Sequence, residues 1–205
     1  MSRGRLIAFE GGEATGKSTQ AAAFAERLGA LLTREPGGTA LGRRIRDLVL
    51  DPAAAGLHPR AEALLLAADR AQHVAELIGP ALAAGRDVVT DRFSGSTLAY
   101  QGYGQGLSVD DLAWLSRWAS DGLEPDLVVL LDVDPAVAAA RQGDRTLDRL
   151  EARDQGFHER VRLGYRGLAE GDATRWALVD ANGSESEVAA RVWQAYLAWA
   201  EAEQR

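Results

Sequence analysis

The stretch Leu6-Ile7-Ala8-Phe9-Glu10-Gly11-Gly12-Glu13-Ala14-Thr15-Gly16-Lys17-Ser18-Thr19-Gln20 decides the fold. Leu6 to Phe9 is a short apolar run ending in a glycine-rich turn, the pattern of a buried strand feeding a loop. Gly11 to Ser18 then fits G-x-x-x-x-G-K-S, after an expected strand and before an expected helix, which is the context this motif needs. Glycines let the backbone wrap with its N–H groups pointing inward, where they and the helix amino terminus meet phosphate oxygens. Lys17 is expected to reach the β- and γ-phosphates, and the Ser18 hydroxyl to ligate Mg²⁺. Gly11, Gly12, Glu13, Ala14, Thr15, Gly16, Lys17, Ser18 and Thr19 are therefore the expected binding residues for a nucleoside triphosphate.

Working outward, short apolar runs recur at 30–33, 87–90, 127–131 and, more weakly, 176–179. Between them lie alanine- and leucine-rich segments with helical spacing, at about 17–29, 39–50, 59–84, 93–102, 108–121, 135–142, 150–170 and 185–203. Strands alternating with helices predict βαβ units and a mainly parallel sheet covered on both faces. Gly79-Pro80 is expected to bend or interrupt the long third helix. The chain shows no internal repeat and no separating linker, so residues 1–205 are expected to form a single domain.

Composition bounds the chemistry. A net charge of −7 disfavours coating a nucleic acid, so any anion must be captured locally. The absence of cysteine removes disulfides, thiolate catalysis and cysteine-ligated zinc. His58, His73 and His158 show no metal-ligand spacing and receive no catalytic role. The first apolar run is too short for a signal peptide and no stretch reaches membrane-spanning length, so a cytoplasmic location without membrane contact is expected.

A phosphate loop does not by itself choose between hydrolysis and transfer; a transferase needs an acceptor pocket. Several further segments are candidates for its wall, each open to a plain structural reading on local evidence. Arg34-Glu35-Pro36-Gly37-Gly38-Thr39 is a turn by its proline and glycines, and on local evidence equally a plain surface loop. Leu66 and Arg70, four apart, share a helix face. Asp91-Arg92-Phe93 follows the strand Val88-Val89-Thr90 and places a carboxylate at a strand's carboxyl end, where open α/β sheets bind ligands. Asp132, ending the most apolar strand, is a rival carboxylate for a metal; Asp91 is favoured.

These segments, taken in order with Phe9 to Gln20, Ala63 to His73, Ser96-Thr97, Ala99-Tyr100-Gln101-Gly102, Asp148-Arg149-Leu150-Glu151, Phe157 to Val161 and Tyr165, resemble the thymidylate kinases. The likeness runs over about residues 6–180. It implies a P-loop nucleoside monophosphate kinase-like α/β fold, with a five-stranded parallel sheet, helices on both faces and a lid at about 141–153. It also implies transfer of the γ-phosphoryl of ATP to dTMP, giving dTDP and ADP for dTTP biosynthesis, with Mg²⁺ as cofactor. A homodimer is expected, with the alanine-rich faces around 61–84 and 108–121 as candidate surfaces.

By the same resemblance, Glu35, Pro36, Arg46, Leu66, Arg70, Arg92, Ser96, Thr97, Tyr100 and Gln101 line the dTMP pocket, and Ser18 and Asp91 serve the metal. Arg46 and Arg92 suit a phosphate because the guanidinium fork matches its oxygens. Glu13 would repel a triphosphate if it pointed into the loop, and is expected to face the acceptor sugar. Leu66 stands where an aromatic that stacks on thymine is usual, so that stacking is lost or comes from a neighbour.

Arg141, Arg145, Arg149 and Arg153 recur every four residues. They read either as a salt-bridged surface or as a mobile lid closing over the triphosphate. Some thymidylate kinases carry an arginine in the phosphate loop and others in the lid; with Ala14 in the loop, the resemblance points to the lid. Lys17, Arg92, Arg141 and Arg145 are then the expected catalytic residues, and Arg149 the expected clamp on ATP. Two other readings stay open: a nucleotide-binding regulator without acceptor chemistry, and a kinase for another nucleoside monophosphate.

Overall fold

The computed structural model describes residues 3–54, 56–143 and 147–203. Its centre is a five-stranded sheet in the order β2-β3-β1-β4-β5: β1 (Leu6–Glu10), β2 (Leu31–Arg34), β3 (Val88–Asp91), β4 (Leu127–Asp132) and β5 (Trp176–Asp180). Every pairing is parallel, with Phe9 opposite Asp91 on one side of β1 and opposite Val129 on the other.

The period-2 alternation of the central strands divides the core. Ile7, Phe9, Leu127, Val129 and Leu131 face one side, which is covered by α1 (Lys17–Leu28) and α9 (Glu185–Ala202) through Ala21, Phe24, Val188, Val192 and Tyr196. Leu6, Ala8 and Val128 face the other side, against Val74, Ile78, Leu82 and Phe93. Leu130, on that same side, meets Tyr100, Phe157, Val161 and Tyr165. Both faces of β1 are thus dry, and its five residues have nowhere to place a polar group except at the carboxyl end.

Between the strands run α2 (Ala40–Leu50), capped by the Thr39 hydroxyl, and α3 (Pro59–His73). The 59–84 helix is interrupted, as expected, but the break begins before Gly79-Pro80: a π-helical turn at Val74–Ile78 joins α3 to α4 (Gly79–Ala83), which has Pro80 in its first turn. After β3, α5 (Ser94–Thr97) passes into a second π-helical stretch, Leu98–Gly104, whose wider turn buries Ala99, Tyr100, Gln101, Gly102 and Gly104. The remaining helices are α6 (Val109–Ala119), α7 (Pro135–Gln142) and α8 (Gln155–Gly171). Residues 147–154 between α7 and α8 are not helical, so Arg141, Arg149 and Arg153 do not share one helix face; Arg145 lies outside the described residues. Among the described residues no helix is long and apolar enough to cross a membrane.

Candidate active site

Two loops leave the carboxyl ends of the adjacent strands β1 and β3, and they meet. In the first, Gly11 has φ 144°, and a Cβ there would collide with Leu131 O; Gly16, with φ 88°, sets the start of α1. The backbone geometry that glycine permits at these positions brings Lys17 back over the loop. Its Nζ donates to Gly12 O. Burial, then the charge of Arg92, lowers the Lys17 ammonium to about 8, although Glu13, Asp91 and Glu10 oppose the shift. In the second loop, Arg92 holds φ 74°, a conformation uncommon for a residue with a Cβ. That backbone aims the guanidinium across to Glu13, whose Oε1 accepts from Arg92 at 2.9 Å and from the Tyr100 hydroxyl at 2.5 Å. Burial works against ionising Glu13, but Arg92, Lys17 and Tyr100 outweigh it and hold the carboxyl at about 2. Glu13 is therefore tied to the β3 side, out of the path of a triphosphate.

Beneath this pair lies Glu10, which the sequence pattern marks only as a carboxylate ending a buried strand. It accepts from the backbone N–H groups of Phe93 and Ser96 and from the hydroxyls of Ser96 and Tyr165, and burial raises its pKa. Four donors on one carboxylate fix the start of α5, and with it Ser96 and Thr97.

A cleft of about 340 Å³ opens above these loops. Glu13, Ala14, Gly16, Lys17, Ser18 and Thr19 line its one end; Gly11, Gly12 and Thr15 form the loop behind them. Glu35, Pro36, Arg46, Leu66, Arg70, Asp91, Arg92, Ser96, Thr97, Tyr100 and Gln101 line the rest, so the expected acceptor residues converge in one place. Arg34, which opens the Arg34–Thr39 segment but has no expected role, joins them. Burial and then the charges of Arg34 and Arg92, which line the same cleft, lower the pKa of Arg46.

At the far end, Arg70 is buried and held on three sides. Its Nε donates to Glu35 at 2.9 Å, and its terminal nitrogens donate to Ser116 and Thr97 at 3.1 Å. Glu35 in turn meets His73 at 3.0 Å, whose other ring nitrogen is 2.7 Å from the Thr33 hydroxyl, so His73 is part of the support for Arg70. The Arg70 guanidinium also lies 5.1 Å from the Phe93 ring centre; Phe93 and Leu66 are the apolar walls of this end.

The carboxylates separate clearly. Asp91 Oδ2 accepts from Ser18 at 2.5 Å, while its buried Oδ1 has no partner among the described residues. Asp132 is claimed by two arginines of α8, Arg162 at 2.8 Å and Arg166, whose bonds outweigh burial and lower its pKa. Asp91 thus keeps a carboxylate oxygen without a partner among the described residues, whereas both oxygens of Asp132 are taken by arginine.

The lid expectations need correction. Arg149 does not line the cleft; its guanidinium is buried, donating to Val49 O at 2.8 Å and pairing with Glu62. The reason is electrostatic, because Glu62 is fully buried on α3 and a buried carboxylate needs a cation. Arg141 is exposed and donates to the carbonyls of Ala181 and Gly183, each at 2.9 Å, beside β5. From the carboxyl-terminal part of the lid segment, Asp148, Leu150 and Glu151 reach the cleft instead.

A family model described as thymidylate kinase matches residues 9–192. The chain belongs to the thymidylate kinase family. It is 50% identical over 195 residues to the thymidylate kinase of Synechococcus sp. (strain JA-2-3B'a(2-13)), covering 92% of each chain. It is 47% identical over 203 residues to that of Deinococcus radiodurans, covering 95% of this chain and 97% of the relative. Its structure superposes with a TM-score of 0.79 on a crystal structure of thymidylate kinase from Ehrlichia chaffeensis, 31% identical, over 94% of this chain and 98% of that one. The parallel sheet and the P-loop at its centre are those of a thymidylate kinase.

Proposed function

We propose that this chain transfers the γ-phosphoryl group of ATP to dTMP, giving dTDP and ADP, in the cleft between the phosphate loop and the Arg70 end. The observation that carries this reading is the joining of three chemistries in that cleft: Lys17 for the donor, Arg46 and Arg92 for an acceptor phosphate, and Arg70 with Gln101 for a base edge. The acceptor phosphate is already a nucleophile, so no strong general base is needed. Arg92 and Lys17 hold the two phosphates in reach and stabilise charge as it moves between them. Glu13 faces the sugar, where it would accept from a 3′-hydroxyl. Leu66 and Phe93 give the base apolar cover in place of the stacking ring usual at position 66.

Ser18 and Asp91 form a hard-oxygen pair with an open, buried lone-pair site on Asp91 Oδ1, which suits Mg²⁺. Among the described residues there is no cluster of three metal-ligating side chains, consistent with an ion held partly by phosphate and water. When bound, Mg²⁺ would neutralise charge on the β- and γ-phosphates. The transition-state arginine is assigned to the lid, Arg141 or Arg145; Arg141 is itself exposed and, among the described residues, is held through the backbone carbonyls of Ala181 and Gly183. Arg149 is reassigned from the donor to the interior.

A homodimer and a cytoplasmic location complete the proposal. The packed helices α3 and α6 expose Leu64 (60%), Trp114 (67%) and Trp118 (70%), the two indoles stacked with 8° between their planes. So much apolar surface on two adjoining helices suits a second copy of the chain.

The test is ADP formation with dTMP, dUMP, dCMP, AMP and GMP as acceptors. dTMP should be preferred. A purine preference would overturn the acceptor assignment, and ATP binding without dTMP-dependent ADP release would favour a regulator.

A further inference from the structure

Gln101 carries a signal beyond lining the cleft. Its Nε2 donates to Glu62 Oε1 at 2.7 Å, and Gln105 Nε2 donates to the same oxygen at 2.6 Å. The other carboxylate oxygen, Oε2, takes Arg149. Glu62 is fully buried, and the Oε1 atoms of both glutamines are buried with no partner among the described residues. A carboxylate can only accept and an arginine can only donate. The chain Arg149 to Glu62 to Gln101 therefore has a fixed sense, and it leaves the Gln101 carbonyl, not its amino group, turned away from Glu62.

We infer that Glu62, bonded to Arg149, is a positioning residue that sets the polarity of Gln101 and thereby selects an imide base over cytosine. This rests on the dTMP reading above. Arg70 presents donors and Gln101 an acceptor. Thymine answers with a carbonyl oxygen beside an N–H. Cytosine, held in the same place by its sugar and phosphate, shows an amino group and a bare ring nitrogen, and mismatches both. Because Arg149 belongs to the carboxyl-terminal part of the lid segment, the base is read in the correct sense only with that part docked on α3.

Glu62→Gln tests this without changing shape. Arg149 would claim the single carbonyl of the substituted amide, so the new amino group would face Gln101 and turn the Gln101 amide over. The readout is kcat/KM for dTMP and for dCMP, together with calorimetric binding of each without ATP. The ratio of dTMP to dCMP should fall by about tenfold or more, the size of one misdirected buried hydrogen bond, with KM for dTMP rising more than kcat falls. Arg149→Leu should lower the ratio likewise, and Arg149→Lys, which keeps a cation on Glu62, should restore most of it. A ratio unchanged in Glu62→Gln, or both acceptors losing in equal proportion in the two variants, would show that Glu62 only supports the fold and would overturn the inference. Wild-type protein that forms no ADP with dTMP would instead overturn the reading beneath it.

Discussion

The Ser18 hydroxyl donates to Asp91 Oδ2 across 2.5 Å, joining the phosphate loop to the carboxyl end of β3. Because Phe9 and Asp91 are register partners on adjacent strands, this bond lies where both loops begin. Asp91→Asn keeps the shape and one acceptor but removes the charge. Its Mg²⁺ requirement, measured by titrating the metal at saturating ATP and dTMP, should rise by about 10- to 100-fold. Calorimetric binding of dTMP in the absence of metal should be nearly unchanged. An unaltered Mg²⁺ titration would remove Asp91 from the metal site.

Lys17 should impose a basic limb on catalysis. Its ammonium is lowered to about 8, so the charged form that attracts phosphate dominates below that value and is lost as pH rises through it. Bound triphosphate favours the charged form, so the limb belongs to the free enzyme. It should appear in kcat/KM for ATP and be weaker or absent in kcat. Lys17→Ala should remain folded by circular dichroism and lose about 10²- to 10³-fold in kcat. Full turnover in that variant would refute the assigned role.

Asp69 predicts a pH dependence of stability. It is buried; burial and then the charge of Glu35 raise its carboxyl to about 6, against the bond from Gly37 N–H and the charges of His73 and Arg70. The folded state therefore holds this proton more tightly than the unfolded chain. The associated stability is full below the ordinary carboxylate value and is lost as pH rises through about 6. Asp69→Asn should remove that loss: its advantage in denaturant unfolding over wild type should grow between pH 4 and pH 7, to at most about 3 kcal/mol. A constant difference across that range would show that Asp69 is ionised throughout.

Gly38 marks a tight approach behind the acceptor loop. A Cβ there would collide with His73 Nε2 and lie 2.9 Å from Thr33 Oγ1, two groups already bonded to each other. Gly38→Ala should destabilise by about 1–3 kcal/mol, as overpacking does, and raise KM for dTMP by displacing the His73–Glu35–Arg70 support. Gly171→Ala, with nothing within 4 Å, is the control and should stay within about 0.5 kcal/mol. Equal effects of the two would mean that the loop yields freely.

Trp118→Lys places a charge on the exposed indole pair of α6. If a second copy covers this face, sedimentation equilibrium should show a shift from dimer to monomer. A wild-type monomer, or a dimer indifferent to the substitution, would place the contact elsewhere.

The sheet is legible in the sequence because each strand is a short apolar run bounded by turn residues, and the phosphate loop because its spacing has one structural use. The acceptor residues come from resemblance, and they converge because β1 and β3 are neighbours, a pairing no local pattern announces. Glu10 and Glu62 escape a sequence reading for a shared reason. A buried carboxylate looks in sequence like any surface acid, and its partners, Tyr165 and Arg149, lie 155 and 87 residues away. Even spacing makes four arginines look like one surface and misplaces Arg149, whereas the chain there leaves the helix and turns that residue inward. The π turns stay hidden because helical periodicity is read at 3.6 residues per turn, and they depart from it.

The widened turn at Leu98–Gly104 makes the acceptor wall sensitive to the length of the chain as well as to its composition. Removing one residue there would let the segment close into an ordinary α-helix and rotate the downstream residues by about 100°. Tyr100 and Gln101 could both survive such a deletion unaltered and still no longer face Glu13 and Glu62. Insertions and deletions, more than substitutions, are the changes this segment filters, and a position-by-position comparison of side chains would not register the constraint.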